Sequence, residues 1–192
     1  YNERKNQSFL IETFKYLPKS WSLKLYGQKD TNKIYVDKLT NLIRKNHLTN
    51  IFVNDFQSNI VNVFKNTDFF ISASLKEAQS LVIVESLASG KPVIGLENET
   101  VSELVNHTNG LVCSKQITPK EFASKISSFI RSCNYEGLSK NARGSVNKFK
   151  IEKVISKIEN MYKSTTYSDR QNSRRYIAKY YQEIFKMISI KK

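Results

Sequence analysis

"DFFISASLKEAQSLVIVESLASGKPVIG" spans residues 68–95. It opens on an apolar run, Phe69-Phe70-Ile71, with no alternation of polar positions. A short run of that kind suits a strand covered on both faces. Small and polar residues follow, and then Leu81-Val82-Ile83-Val84-Glu85-Ser86-Leu87-Ala88. That second run reads as a helix from Ser80 to Ser89, with Gly90 in the place of a C-cap. "KPVIGL" then begins a second apolar strand. A strand, a loop, a helix and a strand in this order form a parallel crossover unit.

The same alternation extends outward in both directions. Upstream, Gln7–Leu17 has helical spacing and stops at Pro18, and "SWSLKLYG" reads as a strand. Residues 33–46 read as a helix with Ile34, Leu39, Leu42 and Ile43 apolar. "NIFVND" reads as a strand and "IVNVFKN" as a short helix. Downstream, Thr100–Asn106 reads as a helix, and "NGLVCS" as a strand behind the turn signal Asn109-Gly110. From Thr118 on, the pattern is helical, with breaks near 134–137, 149–151 and 164–169. The expected architecture is α/β: a Rossmann-like parallel sheet with helices on both faces, followed by C-terminal helices. The expected organisation is a domain over 1–165 and a basic amphipathic helix over 166–192.

Ligands of such sheets bind at the carboxyl ends of the strands. The loop "SLKEAQS" stands at such an end, and it carries Glu77, eight residues before Glu85. In an extended chain the two carboxylates would lie roughly 26 Å apart. With Glu85 on the second turn of a helix that rises about 1.5 Å per residue, both can border one ligand. Between them, the free N–H groups around Gln79, Ser80 and Leu81 form a phosphate site at the positive end of the helix dipole. A carboxylate, a phosphate cradle and a second carboxylate suit a nucleotide sugar, because carboxylates accept hydrogen bonds from hydroxyls. The plainer alternative is a solvated Glu77 and an exposed Glu85 without a ligand.

The composition narrows the field. The chain has 192 residues and a net charge of +14, so it attracts acidic partners. Cys113 and Cys133 lack metal or redox spacing and fit a reducing cytoplasm. His47 and His107 stand alone, and no metal or cofactor is expected. No apolar run reaches the length of a membrane span.

Residues 68–114 also carry an ordered motif. Glu77 and Glu85 are followed by Ala88, Gly90, Pro92, Val93 and Ile94, then Glu103-Leu104-Val105, then Asn109-Gly110-Leu111-Val112. This set resembles the donor-binding, C-terminal half of retaining glycosyltransferases of family 4, which have the GT-B fold. The resemblance covers about residues 1–165. It implies that Glu77 and Lys5 act at the transferred sugar and the leaving group. It implies that Glu85 holds ribose, that Arg4, Gln79, Ser80 and Leu81 hold the diphosphate, and that Gly27 makes room for the nucleotide. Asp55 and Phe56 would border the base. The implied partners are a nucleotide sugar as donor, a glycan or lipid-linked acceptor, and an N-terminal acceptor-binding domain ahead of Tyr1. The implied location is the cytoplasm, with peripheral contact to the inner face of the membrane. The family's Gly-Phe-Gly after the first glutamate is Ala78-Gln79-Ser80 here, and the first strand of this half is not in the chain.

Two other readings start from the same residues. One is a non-catalytic nucleotide-sugar-binding domain. The other is a basic nucleic-acid-binding protein, supported by "RQNSRRYIAKYYQEIFKMISIKK" at the C-terminus. No helix-turn-helix, zinc or RNA-binding signature accompanies that tail, so no nucleic-acid partner is expected.

In the resembling enzymes a C-terminal helix crosses back to the first domain, which is the expected fate of residues 170–190. Deleting 170–192 should then leave the melting temperature almost unchanged and raise solubility. A large drop in melting temperature would favour packing on the chain's own domain. Salt-sensitive binding to anionic vesicles, lost on deletion, would favour the membrane.

Overall fold

The structure, a computed structural model, describes residues 1–77 and 80–164. The expected helix over 166–192 and the residues Ala78 and Gln79 lie outside the described residues. The chain divides into two units, Tyr1–Arg143 and Gly144–Lys192.

The first unit alternates as the sequence pattern indicates. Its elements are α1 (Gln7–Phe14), β1 (Leu23–Tyr26), α2 (Lys33–Lys45), β2 (Ile51–Asn54), α3 (Ile60–Lys65), β3 (Phe70–Ser72) and α4 (Leu81–Ala88). They continue with β4 (Val93–Leu96), α5 (Glu99–Leu104), β5 (Gly110–Cys113), α6 (Pro119–Ser132) and α7 (Tyr135–Ser145), which runs into the second unit. A 3-10 turn, Glu3–Lys5, precedes α1, and Asn6 joins the two at φ 52°. In the second unit a 3-10 turn, Asn147–Phe149, leads into α8 (Ile151–Ser164).

Every strand pairing is parallel. The hydrogen bonding forms two groups, β1-β2 and β3-β4-β5, in place of one uninterrupted sheet. One core serves both groups. Leu23, Leu25 and Ile51 pack with Ile94, Leu96 and Cys113 under α1, α2 and α6. The short strand β4 shows why helices cover the other face as well. All four of its residues are buried. Ile94 and Leu96 point into the shared core, while a Cβ at Gly95 would lie 3.0 Å from Val101 of α5. Successive residues of a strand face opposite ways, so α5 covers the side away from α1 and α6.

Local signals account for most element ends. Thr118 and Glu121 form a reciprocal capping box at the start of α6, with Pro119 in the first turn. Asn32, Asn59 and Asn98 each accept a backbone N–H from the first turn of the helix that follows. At the end of α4, Gly90 takes φ 72°, Gly90 N–H donates to Leu87 O, and Lys91 N–H donates to Ser86 O. These two bonds make a Schellman motif, as the glycine implied.

One expectation needs correction. Ile34 was placed on the apolar face of α2, yet it is 86% exposed, and Tyr35 is buried in its stead. The buried stripe runs through Leu39, and stepping back one turn from Leu39 reaches residue 35, not 34. The turn expected ahead of β5 is present over residues 107–109, where Gly110 N–H donates to Asn106 O at 2.9 Å. Asn109 is fully buried, and its Nδ2 donates to Leu104 O at 2.9 Å while its Oδ1 accepts from Asn106 N–H at 2.8 Å. The side chain thus ties the end of α5 to the start of β5.

Gly110 follows because the backbone there passes close to β4. A Cβ at this position would stand 2.0 Å from Val93 O and 2.7 Å from Val105 Cγ1. Gly110→Ala is therefore expected to lower stability by about 3 kcal/mol or more. Urea denaturation measures it, and a loss below about 1 kcal/mol would mean that β4 and β5 move apart easily.

Candidate donor-binding site

The carboxyl ends of the strands meet the N-terminal segment of the chain. Tyr1 lies against Gly27, just past β1, and its hydroxyl sits between the Leu25 and Asn54 carbonyls, donating to Leu25 O at 2.9 Å. Burial pushes the Tyr1 phenol above its ordinary value. Three residues on, Arg4 O accepts from Leu75 N–H at 2.9 Å. The segment thus touches the ends of β1 and β2 at Tyr1 and the loop after β3 at Arg4.

Lys5 comes next, and its Nζ donates to the Glu77 carboxylate. Glu77 is 4% exposed. Burying a carboxylate is costly unless a cation or strong donors are buried with it. Lys5 is such a cation, with a third of its side chain still open to solvent. The backbone of the same loop is held from the other side. Asn98 Nδ2 donates to Ser74 O at 3.0 Å, and Thr100 Oγ1 donates to Glu77 O at 3.2 Å.

Past the two residues outside the described set, Ser80 is buried and stands at the N-cap of α4 without a side-chain cap bond. Its carbonyl accepts from Ile83 N–H at 3.1 Å. No bond to the Leu81 or Val82 N–H groups occurs among the described residues. Glu85 lies on the second turn of α4, half-buried, with no ion-pair partner among the described residues.

The structure therefore brings Lys5 and Glu77 into contact, and it puts Arg4 backbone to backbone with the same loop. Ser80, Leu81 and Glu85 share one helix start, as the sequence reading required. Gly27 stands at the end of β1 with Tyr1 beside it, so that a Cβ there would lie 3.2 Å from the Tyr1 ring. Asp55 and Phe56 are exposed, and Asp55 Oδ1 accepts from Phe56 N–H at 2.8 Å without touching the other site residues. The plainer alternative of a solvated Glu77 is set aside by its burial. Three residues at this place were not anticipated: Tyr1, Asn98 and Thr100. Asn98 carried a usable signal, an asparagine directly ahead of a helix. A groove of ≈ 540 Å³ lies elsewhere, along β5, lined by Val105, Leu111 and Phe129 among others. Among the described residues no cluster of His, Cys, Asp or Glu could hold a metal ion, and no helix is long and apolar enough to cross a membrane.

Comparison with known proteins gives the family and the fold. The family described as "Glycosyl transferases group 1" matches residues 1–145. The chain belongs to that family. Over 116 residues it is 27% identical to N-acetyl-alpha-D-glucosaminyl L-malate synthase of Bacillus anthracis, covering 59% of this chain and 30% of that enzyme. Over 43 residues it is 51% identical to alpha-monoglucosyldiacylglycerol synthase of Streptococcus pneumoniae, covering 22% of this chain and 10% of that enzyme. In fold it resembles Anabaena Alr3699/HepE, whose crystal structure holds UDP and glucose, with a TM-score of 0.76 at 24% identity. That likeness covers 86% of this chain and 46% of the Anabaena chain. A Rickettsia africae glycosyltransferase gives a TM-score of 0.76 at 23% identity, over 84% of this chain and 45% of that one. The chain thus has the Rossmann-like α/β fold of one half of these GT-B proteins, and it spans less than half the length of each relative named here.

The buried pair has a measurable consequence. Lys5→Met leaves the Glu77 carboxyl, which is 4% exposed, without its cation, and it is expected to cost about 1–3 kcal/mol. Adding Glu77→Gln should recover most of that loss. Urea denaturation of both single variants and the double variant reads the coupling, and strictly additive losses would show that the pair contributes nothing.

Proposed function

We propose that this chain is the donor-binding domain of a retaining glycosyltransferase of family 4, forming its C-terminal half and holding a nucleoside diphosphate sugar for transfer. The observation that carries the reading is the buried Glu77, paired with Lys5 at the carboxyl end of β3, directly ahead of the start of α4. The placement provides two kinds of group within one loop and helix start. Positive charge comes from Lys5, Arg4 and the N–H groups of Ser80 and Leu81. Hydrogen-bond acceptors come from Glu77 and Glu85.

In this reading the diphosphate lies at the start of α4, with Gln79, Ser80 and Leu81 around it. Ribose hydroxyls donate to Glu85, and sugar hydroxyls donate to Glu77. Asp55 and Phe56 border the base. In the transfer the bond between the sugar's anomeric carbon and the diphosphate oxygen breaks, a bond to the acceptor hydroxyl oxygen forms on the same face, and the hydroxyl proton passes to the departing phosphate oxygen. The electron pair leaves with the nucleoside diphosphate. Lys5 and Arg4 stabilise the negative charge that grows on the departing phosphate. This reading requires Lys5 to serve both Glu77 and the phosphate, which its partly open side chain allows. The positive groups named here suffice for that charge without a metal ion.

The acceptor, a glycan or a lipid-linked compound, would be held by a second, N-terminal domain, so the 192-residue chain binds donor and turns over little or none. In this reading the protein is cytoplasmic and touches the membrane peripherally, and its net charge of +14 is compatible with an anionic lipid surface.

UDP is a suitable first probe, since HepE was solved with it. Glu85→Ala is expected to weaken UDP binding by about 1.5–3 kcal/mol, the range for a hydrogen bond to a charged group. Glu77→Ala should weaken UDP-glucose more than UDP. Calorimetry on folded variants decides both. Unchanged UDP affinity would remove Glu85 from the site, and equal losses for the two ligands would remove Glu77 from the sugar.

A further inference from the structure

The loop Ser74–Glu77 belongs to no helix or strand. A carboxylate placed on such a loop can stand in one position only if the loop backbone is held. Its bonds come from two directions. The N-terminal segment supplies Arg4 O to Leu75 N–H and Lys5 Nζ to the Glu77 carboxylate. The first turn of α5 supplies the other two. Asn98 divides its amide between two tasks. Its Oδ1 accepts Val101 N–H at 3.0 Å, which caps α5, and its Nδ2 donates to Ser74 O at 3.0 Å. Thr100 is 4% exposed, and its Oγ1 donates to Glu77 O at 3.2 Å. One helix start thus holds both ends of the loop.

We propose that Asn98 and Thr100 are positioning residues that fix the Glu77 carboxylate, and through it the preference for a nucleotide sugar over the free nucleotide. The proposal rests on the role given to Glu77 under Proposed function. Neither residue has to touch the ligand. Each acts through a backbone carbonyl whose only described side-chain donor it is. A buried carbonyl that loses its donor is costly, so the loop shifts to find another, and Glu77 moves with it.

The chemistry of the two side chains gives clean substitutions. Asn98→Asp keeps the oxygen that caps α5 and removes the amide that donates to Ser74. Thr100→Val keeps the shape and removes the hydroxyl, while Thr100→Ser keeps the hydroxyl. The ligand-free readout is the side-chain ammonium resonance of Lys5 in 15N spectra, assigned by its loss in Lys5→Met. Hydrogen bonding to Glu77 slows its exchange in the wild-type chain. The signal should broaden or vanish in Asn98→Asp and Thr100→Val and return in Thr100→Ser. In the ligand readout, calorimetry with UDP-glucose and UDP, the two disrupting variants should lose about tenfold in UDP-glucose affinity, a typical single hydrogen-bond effect. UDP affinity should stay within about twofold, and Thr100→Ser should behave as wild type.

An unchanged Lys5 signal in both folded variants would overturn the positioning role. Equal losses of UDP and UDP-glucose would overturn the link to sugar preference, since general loosening lowers both. If the wild-type chain binds neither probe, the donor-binding reading fails, and the Lys5 signal alone still decides whether Asn98 and Thr100 fix Glu77. If a variant does not fold, the second variant and the Thr100→Ser control carry the test.

Discussion

A carboxylate that is 4% exposed cannot be left without a cation, and this chain brings Lys5 across 72 positions of sequence to meet Glu77. That requirement organises the region around it. The N-terminal segment must lie across the carboxyl ends of the strands, so it is tied down on either side of the crossing. Tyr1 anchors it at the Leu25 carbonyl, and Arg4 anchors it at Leu75. The short 3-10 turn Glu3–Lys5 and the left-handed Asn6 then redirect the chain into α1, whose Leu10, Ile11 and Phe14 enter the core. The ion pair and the core therefore depend on the same few residues. Moving α1 would withdraw the cation, and freeing the cation would loosen the entry to α1.

Short polar side chains hold loops at both ends of the strands. Asn98 caps one helix and holds a neighbouring loop, and Asn109 joins α5 to β5. An amide can both donate and accept, so one residue satisfies two backbone groups that would otherwise be buried unpaired. Glycine remains where geometry leaves no choice: at Gly90, with φ 72°, and at Gly110, against the Val93 carbonyl.

Much of this was legible in the sequence because the relevant signals are local. The apolar run before Ser72, the helix from Leu81 and the glycine at 90 define one crossover unit, and the motif from Glu77 to Val112 points to the same fold. What was not legible depends on distant partners. The burial of Glu77 follows from Lys5 and Thr100, which periodicity cannot pair with it. The interruption between β1-β2 and β3-β4-β5 is likewise a property of which edges meet, not of any one strand's composition. Ile34 was misplaced for a simpler reason. A helical stripe is fixed by its buried members, and Tyr35 hides an aromatic body where a purely aliphatic count preferred its neighbour.

A net charge of +14 draws any polyanion and selects none of them. Selection has to come from groups arranged in the opposite sense. Around the start of α4 the positive groups are flanked by Glu77 on the loop and Glu85 on the helix. A continuous phosphate backbone passing that point would meet carboxylates on either side of the phosphate it binds, and like charges so placed are costly. A nucleotide sugar has the matching pattern: hydroxyls on the ribose, charge at the diphosphate, hydroxyls again on the sugar. In the proposed reading the carboxylates repel an extended polyanion and accept from the hydroxyls of the small ligand. The proposed donor-binding reading rests on that contrast, since the overall charge suits both kinds of ligand.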